Sequence, residues 1–229
     1  GQKAILIKNH FENQFSPGSF DLIVARHVLE HLFKPSDLVR ILRTLAGDDK
    51  ETPVYIEVPN LDYIFRKSAI WDIIYEHYSY FSKTSLERLF LLHGFHVANL
   101  SDRYHGQYLS LEAIPGSRGK GYQKKSSLSH ETLESLGTQF GAAGRRKINW
   151  WKEWRTRILS SGKRIVLWGA GSKSVNFLNI LAISDEIEYV VDVNPKKQFT
   201  YVAGTGQQIV PPGFLREYRP DLVIVMNKV

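Results

Sequence analysis

The sequence FDLIVA occupies residues 20–25, and RHVLEH follows it directly at residues 26–31. A short apolar run of this kind is typical of a strand that is covered on both faces of a parallel sheet. The polar residues after it would lie at the carboxyl end of the strand, where open α/β sheets bind their ligands. The segment therefore predicts an α/β fold with a site at one edge of its sheet.

The pattern of strands and helices continues toward the C-terminus. A helix is predicted over residues 35–45, because a proline can open it and apolar residues then recur at helical spacing. VYIEV at residues 54–58 predicts a second strand, and a helix over residues 85–93 precedes two antiparallel strands. We expect this order to form the second half of a doubly wound sheet with a closing hairpin.

Changes in composition divide the chain into two predicted domains. Residues 115–128 are rich in Gly, Ser and Lys and predict a linker. We expect a partial α/β domain over residues 1–114 and a smaller Rossmann-like domain over residues 129–229, which begins with a long helix. The predicted strands of this second domain lie at residues 164–168, 188–192 and 222–226.

Composition and charge exclude several classes of protein. The chain has no Cys among its 229 residues, which excludes a disulfide scaffold, a zinc-thiolate site and a cysteine nucleophile. No apolar run reaches the roughly 20 residues of a membrane span and no signal peptide is recognised, so we expect a cytoplasmic protein. The net charge of +7 indicates a solvated basic surface or attraction of anions such as nucleotide phosphates. Nucleic acid is not an expected partner, since no recognition motif accompanies the charge.

The densest cluster of reactive side chains is YEHYSYF at residues 75–81. His77 is a candidate general base, because imidazole titrates near neutral pH and the carboxylate of Glu76 can hold its tautomer. Tyr75 and Tyr80 can hydrogen-bond a carbonyl or hydroxyl group of a ligand. The alternative interpretation is a helix start with packed aromatic rings and a satisfied histidine.

Two further polar segments each follow a predicted strand, namely RHVLEH at residues 26–31 and EVPN at residues 57–60. Because both segments would lie at the same edge of the sheet, they predict a shared site. His27 and His31 have a spacing that can ligate a metal, but the His-Glu-x-x-His order is absent and no metal site is predicted.

The sequence GAGSKS at residues 169–174 follows a predicted strand, and Asp192 ends the next one. Glycines at such a turn let backbone amides approach a phosphate at a helix N-terminus. The carboxylate of Asp192 is close to the sequence position at which the dinucleotide fingerprint has its ribose-binding acid. Ser174 stands where the dinucleotide fingerprint has its third glycine. The segment therefore matches that fingerprint only in part.

Taken together, these motifs resemble the class I S-adenosylmethionine-dependent methyltransferases. FDLIVARHVLEHL looks like the motif after their fourth strand. Other segments are similar to the nucleotide-sugar C-methyltransferases and their C-terminal domain: IEVPN (56–60), YEHYSYFS (75–82), GAGSK (169–173), VDVNPKKQ (191–198) and PDLVIVMN (220–227). The expected fold is then the second half of a methyltransferase sheet followed by a Rossmann-like domain.

The resemblance implies methyl transfer from S-adenosylmethionine to a sugar carbon beside a keto group. His77 would be the base and Glu76 would orient it, while Tyr75 departs by one position from the family's tyrosine, which Ile74 replaces. The side chains bordering the cofactor would be Arg26, His27 and His31. The acceptor would meet Asn60, Tyr80 and Gln107, and its phosphate would meet Gly169, Gly171, Ser172 and Lys173.

The family's glycine-rich first motif and its Cys-rich metal-binding region would precede residue 1. We therefore expect a truncated chain with weak or no S-adenosylmethionine binding, whose exposed strand edge favours self-association. An alternative is a nucleotide-binding module without catalytic activity. A third interpretation is an inactive protein that assembles through its Trp-rich helix, although Trp150, Trp151 and Trp154 more often mark a seam between a helix and a sheet.

Overall fold

Two four-stranded sheets form the framework of the computed structural model. The structure describes residues 20–48, 52–116 and 130–226. The elements, in chain order, are β1 (Ile23–Arg26), α1 (Pro35–Ala46), β2 (Val54–Pro59), α2 (Leu61–Arg66), α3 (Lys83–Leu92), β3 (Phe95–Arg103), β4 (Tyr108–Pro115), α4 (His130–Leu159), β5 (Ile165–Trp168), α5 (Ser172–Leu181), β6 (Tyr189–Val191), β7 (Gln208–Val210), α6 (Leu215–Tyr218) and β8 (Leu222–Val225).

The chain divides into two compact units, and each contains one sheet. The first unit consists of Gly1–Tyr63 and Glu76–Ser129, and the second of Ile64–Tyr75 and His130–Val229. These units differ in one segment from the two domains predicted from the sequence, because Ile64–Tyr75 packs with the C-terminal unit. Most of the predicted linker, from residue 117 onward, lies outside the described residues.

The first sheet has the strand order β1-β2-β4-β3. β1 and β2 are parallel, whereas β4 pairs antiparallel with both β2 and β3, so the predicted closing hairpin is confirmed. The inward side chains of β2, including Val54 and Ile56, are fully buried, and Phe90 of α3 packs against them. Ser82 begins α3 with a capping box that includes Ser85, which satisfies backbone N–H groups of its first turn.

The second sheet has the order β7-β6-β5-β8, and all of its strands are parallel. This arrangement confirms the Rossmann-like α/β class. β7, which has three residues, was not predicted. Trp151 and Trp154 of α4 pack against the apolar core of this unit, as the seam interpretation predicts, whereas Trp150 is 51% exposed. Within the described ranges, no helix is long and apolar enough to cross a membrane.

The segment Ile64–Tyr75 is anchored within the second unit by the side chain of Asn176. This amide is 9% exposed, and its Nδ2 donates to the carbonyl oxygens of Trp71 at 3.1 Å and Ile73 at 2.7 Å. The ring of Trp71 contacts Phe177 edge-on, with centroids 5.1 Å apart. Buried carbonyls need hydrogen-bond partners, so Asn176 fixes the path of the segment.

Candidate functional site

The carboxyl ends of β1 and β2 lie side by side at one edge of the first sheet. Arg26 at the end of β1 is in register with Glu57 of β2. His27 continues from β1, and its backbone N–H donates to the carbonyl of Glu57 at 2.9 Å. The parallel pairing therefore brings the two predicted polar segments together, as their positions after the strands required.

Glu57 is the centre of a charged cluster at this edge. Its side chain is almost fully buried and accepts hydrogen bonds from Arg26 Nε at 3.1 Å, Arg26 Nη2 at 2.7 Å and Tyr55 Oη at 3.1 Å. Burial alone would raise the pKa of Glu57, but Arg26, Tyr55 and His27 together hold it below its ordinary value of 4.5. Glu57 thus remains a carboxylate under neutral conditions.

Replacing Arg26 with methionine should lower the thermal unfolding midpoint at pH 7, because Glu57 would lose its charged partner. A lowered carboxyl pKa stabilises the fold above the unfolded value of about 4.5, and this contribution is lost as pH falls. The gap between variant and wild type should therefore close below pH 4.5. Differential scanning calorimetry from pH 7 to pH 3 would measure it. Arg40→Met, which breaks an exposed ion pair with Asp37, is the control, and a gap that stays constant with pH would contradict the role assigned to Glu57.

His27 lies between two acidic side chains. Its Nε2 is 3.1 Å from Glu57 Oε1, and its Nδ1 is 3.3 Å from Glu30 Oε1. Its backbone has a φ of 52°, in the left-handed region that is uncommon for residues with a side chain. Its ring also contacts Tyr108 edge-on at 4.7 Å. These contacts hold the imidazole in place at the sheet edge.

Glu30 lies in the short 3-10 turn Leu29–His31 and is 1% exposed. Its backbone carbonyl accepts hydrogen bonds from the N–H groups of Tyr78 and Ser79, at 2.8 and 3.2 Å. Both side-chain oxygens lack a hydrogen bond from the described residues, since the contact with His27 lacks hydrogen-bond geometry. The turn therefore holds the segment that contains His77, and it buries a carboxyl group that accepts no hydrogen bond from the described residues.

His77 packs among other rings of the first unit. Its ring centroid is 4.7 Å from that of His31 and 5.6 Å from that of Tyr80. Its Nδ1 is buried and makes no hydrogen bond to a described residue. Burial, with a smaller effect of the nearby His31 and His27, lowers the pKa of His77 to about 4. The ring is therefore neutral at neutral pH and has a free lone pair.

The orienting role predicted for Glu76 stays a prediction, and the contacts of the described residues do not support it. Its side chain is exposed, and among the described residues no hydrogen bond or ion pair joins it to His77. Only its backbone carbonyl takes part, at 3.3 Å from Nδ1 of His31. Tyr75 is 87% exposed and belongs to the second unit, so its predicted role stays a prediction. The alternative of a helix start is wrong, because this segment forms a turn.

Asn60 was predicted to face the acceptor, but its side chain is 4% exposed and fully engaged. Its Nδ2 donates to the Gly106 carbonyl at 2.9 Å and to Asp102 at 3.2 Å, while its Oδ1 accepts from the N–H of Asp62 at 3.0 Å. Asn60 therefore holds the β3–β4 turn. Gln107 is half-buried at this turn, and its predicted contact with an acceptor stays a prediction.

The glycine segment of the second unit lies at the carboxyl end of β5, as predicted, but its polar groups are already paired. Lys173 Nζ is 2.9 Å from Asp72, and the N–H of Gly169 donates to Val191 at 2.7 Å. The carboxylate of Asp192, the candidate ribose-binding acid, accepts a hydrogen bond from the backbone N–H of Ala170 at 2.8 Å. The predicted phosphate contacts of Lys173, Gly169, Gly171 and Ser172 stay predictions.

Sequence reasoning missed Glu30 as a site residue, although it lies within RHVLEH. The available signal was a carboxyl side chain close to two histidines, His27 and His31, in a segment that follows a predicted strand. Periodicity alone cannot show whether such a residue points inward, because the 3-10 turn at Leu29–His31 is only three residues long. The structure adds Glu30 to the residues that surround His77.

Comparison with known protein families gives one match in the N-terminal part of the chain and one in the C-terminal part. A family described as "Methyltransferase domain" matches residues 2–100, and a family described as "C-methyltransferase C-terminal domain" matches residues 139–227. No curated protein matches the chain at a significant level.

Several solved structures are similar to part of the chain. They include the complex between the Haloferax volcanii Trm112 methyltransferase activator and a methyltransferase (12% identity, 47% of this chain and 59% of that chain, TM-score 0.39). The CurJ carbon methyltransferase has 14% identity over 45% of this chain and 31% of that chain, with a TM-score of 0.33. The magnesium protoporphyrin IX methyltransferase from Synechocystis, with bound SAH, has 13% identity over 42% and 45%, with a TM-score of 0.33. The chain spans less than two thirds of the length of each.

Proposed function

We propose that this chain, which carries a methyltransferase domain followed by a C-methyltransferase C-terminal domain, acts in S-adenosylmethionine-dependent transfer of a methyl group to carbon. The acceptor we propose is a nucleotide-linked keto sugar or a similar polar metabolite. The observation that carries the proposal is the neutral, half-buried imidazole of His77 at the edge where β1 and β2 end.

His77 is unprotonated at neutral pH, as proton removal requires, although its lowered pKa of about 4 also makes it a weaker base than an ordinary imidazole. A carbon atom beside a carbonyl group is acidic, and a neutral imidazole nitrogen can accept its proton. The imidazolium that forms would be stabilised by the carboxyl group of Glu30, whose oxygen lies within 4.8 Å of a ring nitrogen of His77. The ring of Tyr80 lies 5.6 Å from that of His77, and this proximity supports the proposal that Tyr80 contacts the acceptor.

The proposed reaction transfers one proton from the acceptor to His77 and one methyl group to the acceptor carbon. The acceptor C–H bond breaks, its proton moves to His77, and the electron pair is held as an enolate. The enolate carbon then forms a bond to the methyl group, and the electrons of the broken C–S bond stay on sulfur. S-adenosylmethionine, when bound, supplies this methyl group on a positively charged sulfur.

Two of the three residues predicted to border the cofactor fit that place. Arg26 is half-exposed at the end of β1, and the side chain of His27 is 38% exposed, so both can meet a polar ligand at the edge of the sheet. His31 instead lies against His77, which favours a place beside the acceptor. The charged group of Arg26 is suited to a carboxylate such as that of a methionine moiety.

The test separates proton removal from methyl transfer. A nucleotide-linked 4-keto sugar is incubated with the chain in D2O without cofactor, and mass spectrometry follows deuterium at the carbon beside the keto group. We expect exchange above the rate without protein. Binding of the sugar, measured by calorimetry, without any exchange would contradict the base. Calorimetric titration with S-adenosylmethionine and S-adenosylhomocysteine on the same sample then measures the cofactor directly.

A further inference from the structure

We infer that Glu30, His31 and His77 form a binding site for one divalent transition-metal ion of the zinc class. One ligand atom from each of these side chains lies within 4.8 Å of the other two. This inference goes beyond the proposed function, because neither methyl transfer nor the domain composition of the chain calls for a metal here.

The first argument is the state of Glu30. Its side chain is 1% exposed, and both of its oxygens lack a hydrogen bond from the described residues. A buried carboxyl group without partners is costly, and buried charges in proteins are either paired or coordinate metals. The nearest cationic candidate is His27, which already lies against the better-bonded Glu57. An ion held beside Glu30 would remove the cost.

The second argument is the arrangement of the two imidazoles. Nδ1 of His31 is 3.3 Å from the carbonyl oxygen of Glu76. A histidine that donates one N–H to a carbonyl leaves the other nitrogen free as a ligand, and metal-binding histidines are commonly fixed in this way. His77 adds a buried Nδ1 with no hydrogen bond to a described residue. Because His31 is exposed, an ion can reach the cluster from solvent.

The donor set determines which ion fits. Two imidazoles and one carboxylate suit zinc and its neighbours, whereas magnesium and calcium prefer oxygen ligands alone. At zinc–ligand distances of about 2.0–2.2 Å, two tetrahedral ligands lie about 3.4 Å apart. The side chains would therefore close on the ion by about 1 Å, leaving a fourth position for water or a ligand.

The site has a consequence for the proposed function. A nitrogen of His77 that holds a metal cannot also accept a proton, so metal binding and proton removal at that nitrogen exclude each other. Zinc would then inhibit the reaction that we propose, and a chelator would restore it. This consequence rests on the proposed function, but the metal site itself does not.

The test is calorimetric titration of the full chain, without a polyhistidine tag, with zinc chloride and then with magnesium chloride. We expect one zinc ion per chain and no magnesium binding of comparable strength. Changes that only disturb the surroundings of metal ligands cost about 10–100-fold in affinity. Loss of a ligand in His31→Asn or Glu30→Gln should therefore weaken zinc binding by at least about 100-fold. The control is His96→Asn, which removes an exposed histidine of the same unit.

A second measurement guards against misfolding. Glu30→Gln changes a buried group, so circular dichroism must show its fold, whereas His31→Asn changes an exposed ring. Cobalt(II) in place of zinc should give visible absorption that is lost in both variants. Zinc binding that is unchanged in both variants, or absent from the wild type, would show that the inference is wrong. Neither result depends on methyl transfer, so it leaves the proposed function to its own test.

Discussion

Replacing His77 with asparagine is expected to lower the rate of methyl transfer to a nucleotide-linked keto sugar by about 10²–10⁴-fold, the usual contribution of a general base. Asparagine keeps a polar side chain of similar length but cannot take up a proton at neutral pH. Cofactor affinity should remain nearly unchanged, because the base acts on the acceptor. A radiolabelled methyl transfer assay gives the rate, and calorimetry gives the affinity for S-adenosylmethionine.

Two controls isolate the base from other effects of this substitution. The assay is run with a chelator, so that loss of a metal ligand does not contribute. His96→Asn removes an exposed imidazole from the same unit and should retain full activity. If His77→Asn transfers methyl groups at the wild-type rate, His77 is not the base.

Replacing Phe177 with alanine is expected to destabilise the second unit by about 3–5 kcal/mol, the usual cost of removing a phenyl ring from a core. Phe177 is 1% exposed and contacts the rings of Trp71 at 5.1 Å and Trp151 at 4.9 Å. The surrounding helices can relax only in part, so a cavity would remain.

Tryptophan fluorescence during urea unfolding measures this loss selectively. All five tryptophans belong to the second unit, namely Trp71, Trp150, Trp151, Trp154 and Trp168. Phe199→Ala is the matched control, because that ring is 69% exposed in the same unit and its removal should change stability by less than about 0.5 kcal/mol. Equal losses for both variants would contradict the packing described for α5.

Local patterns were sufficient for most of the fold. FDLIVA and VYIEV predicted adjacent parallel strands from their continuous apolar runs. β2 is largely buried, but the expectation that β1 is covered on both faces is wrong, because Val24 is 51% exposed. Polar residues at the carboxyl ends of both strands predicted that Arg26, His27 and Glu57 would lie close together. Such inferences succeed because they depend on neighbours that are close in sequence or on a general rule of sheet topology.

The sequence patterns did not reveal side-chain partners that are distant in sequence. Lys173 follows a glycine turn that resembles a phosphate site, but its ammonium pairs with Asp72, about 100 residues earlier. Asn60 was expected at the ligand, yet it bonds to Asp102 and Gly106. The spacing of residues in a sequence does not show whether a polar side chain binds a ligand or a residue that is distant in the chain.

The segment Ile64–Tyr75 has a consequence for how the chain folds during synthesis. Asn176 is added 105 residues after Trp71, whose carbonyl it binds. At about 5–20 residues per second on the ribosome, this interval lasts about 5–20 s. The last two strands of the first sheet, β3 and β4, are synthesised during that time, whereas Trp71 still lacks its partner Asn176. The second unit can therefore close only after translation has nearly ended, and a nascent chain halted before residue 176 would present this apolar segment to chaperones.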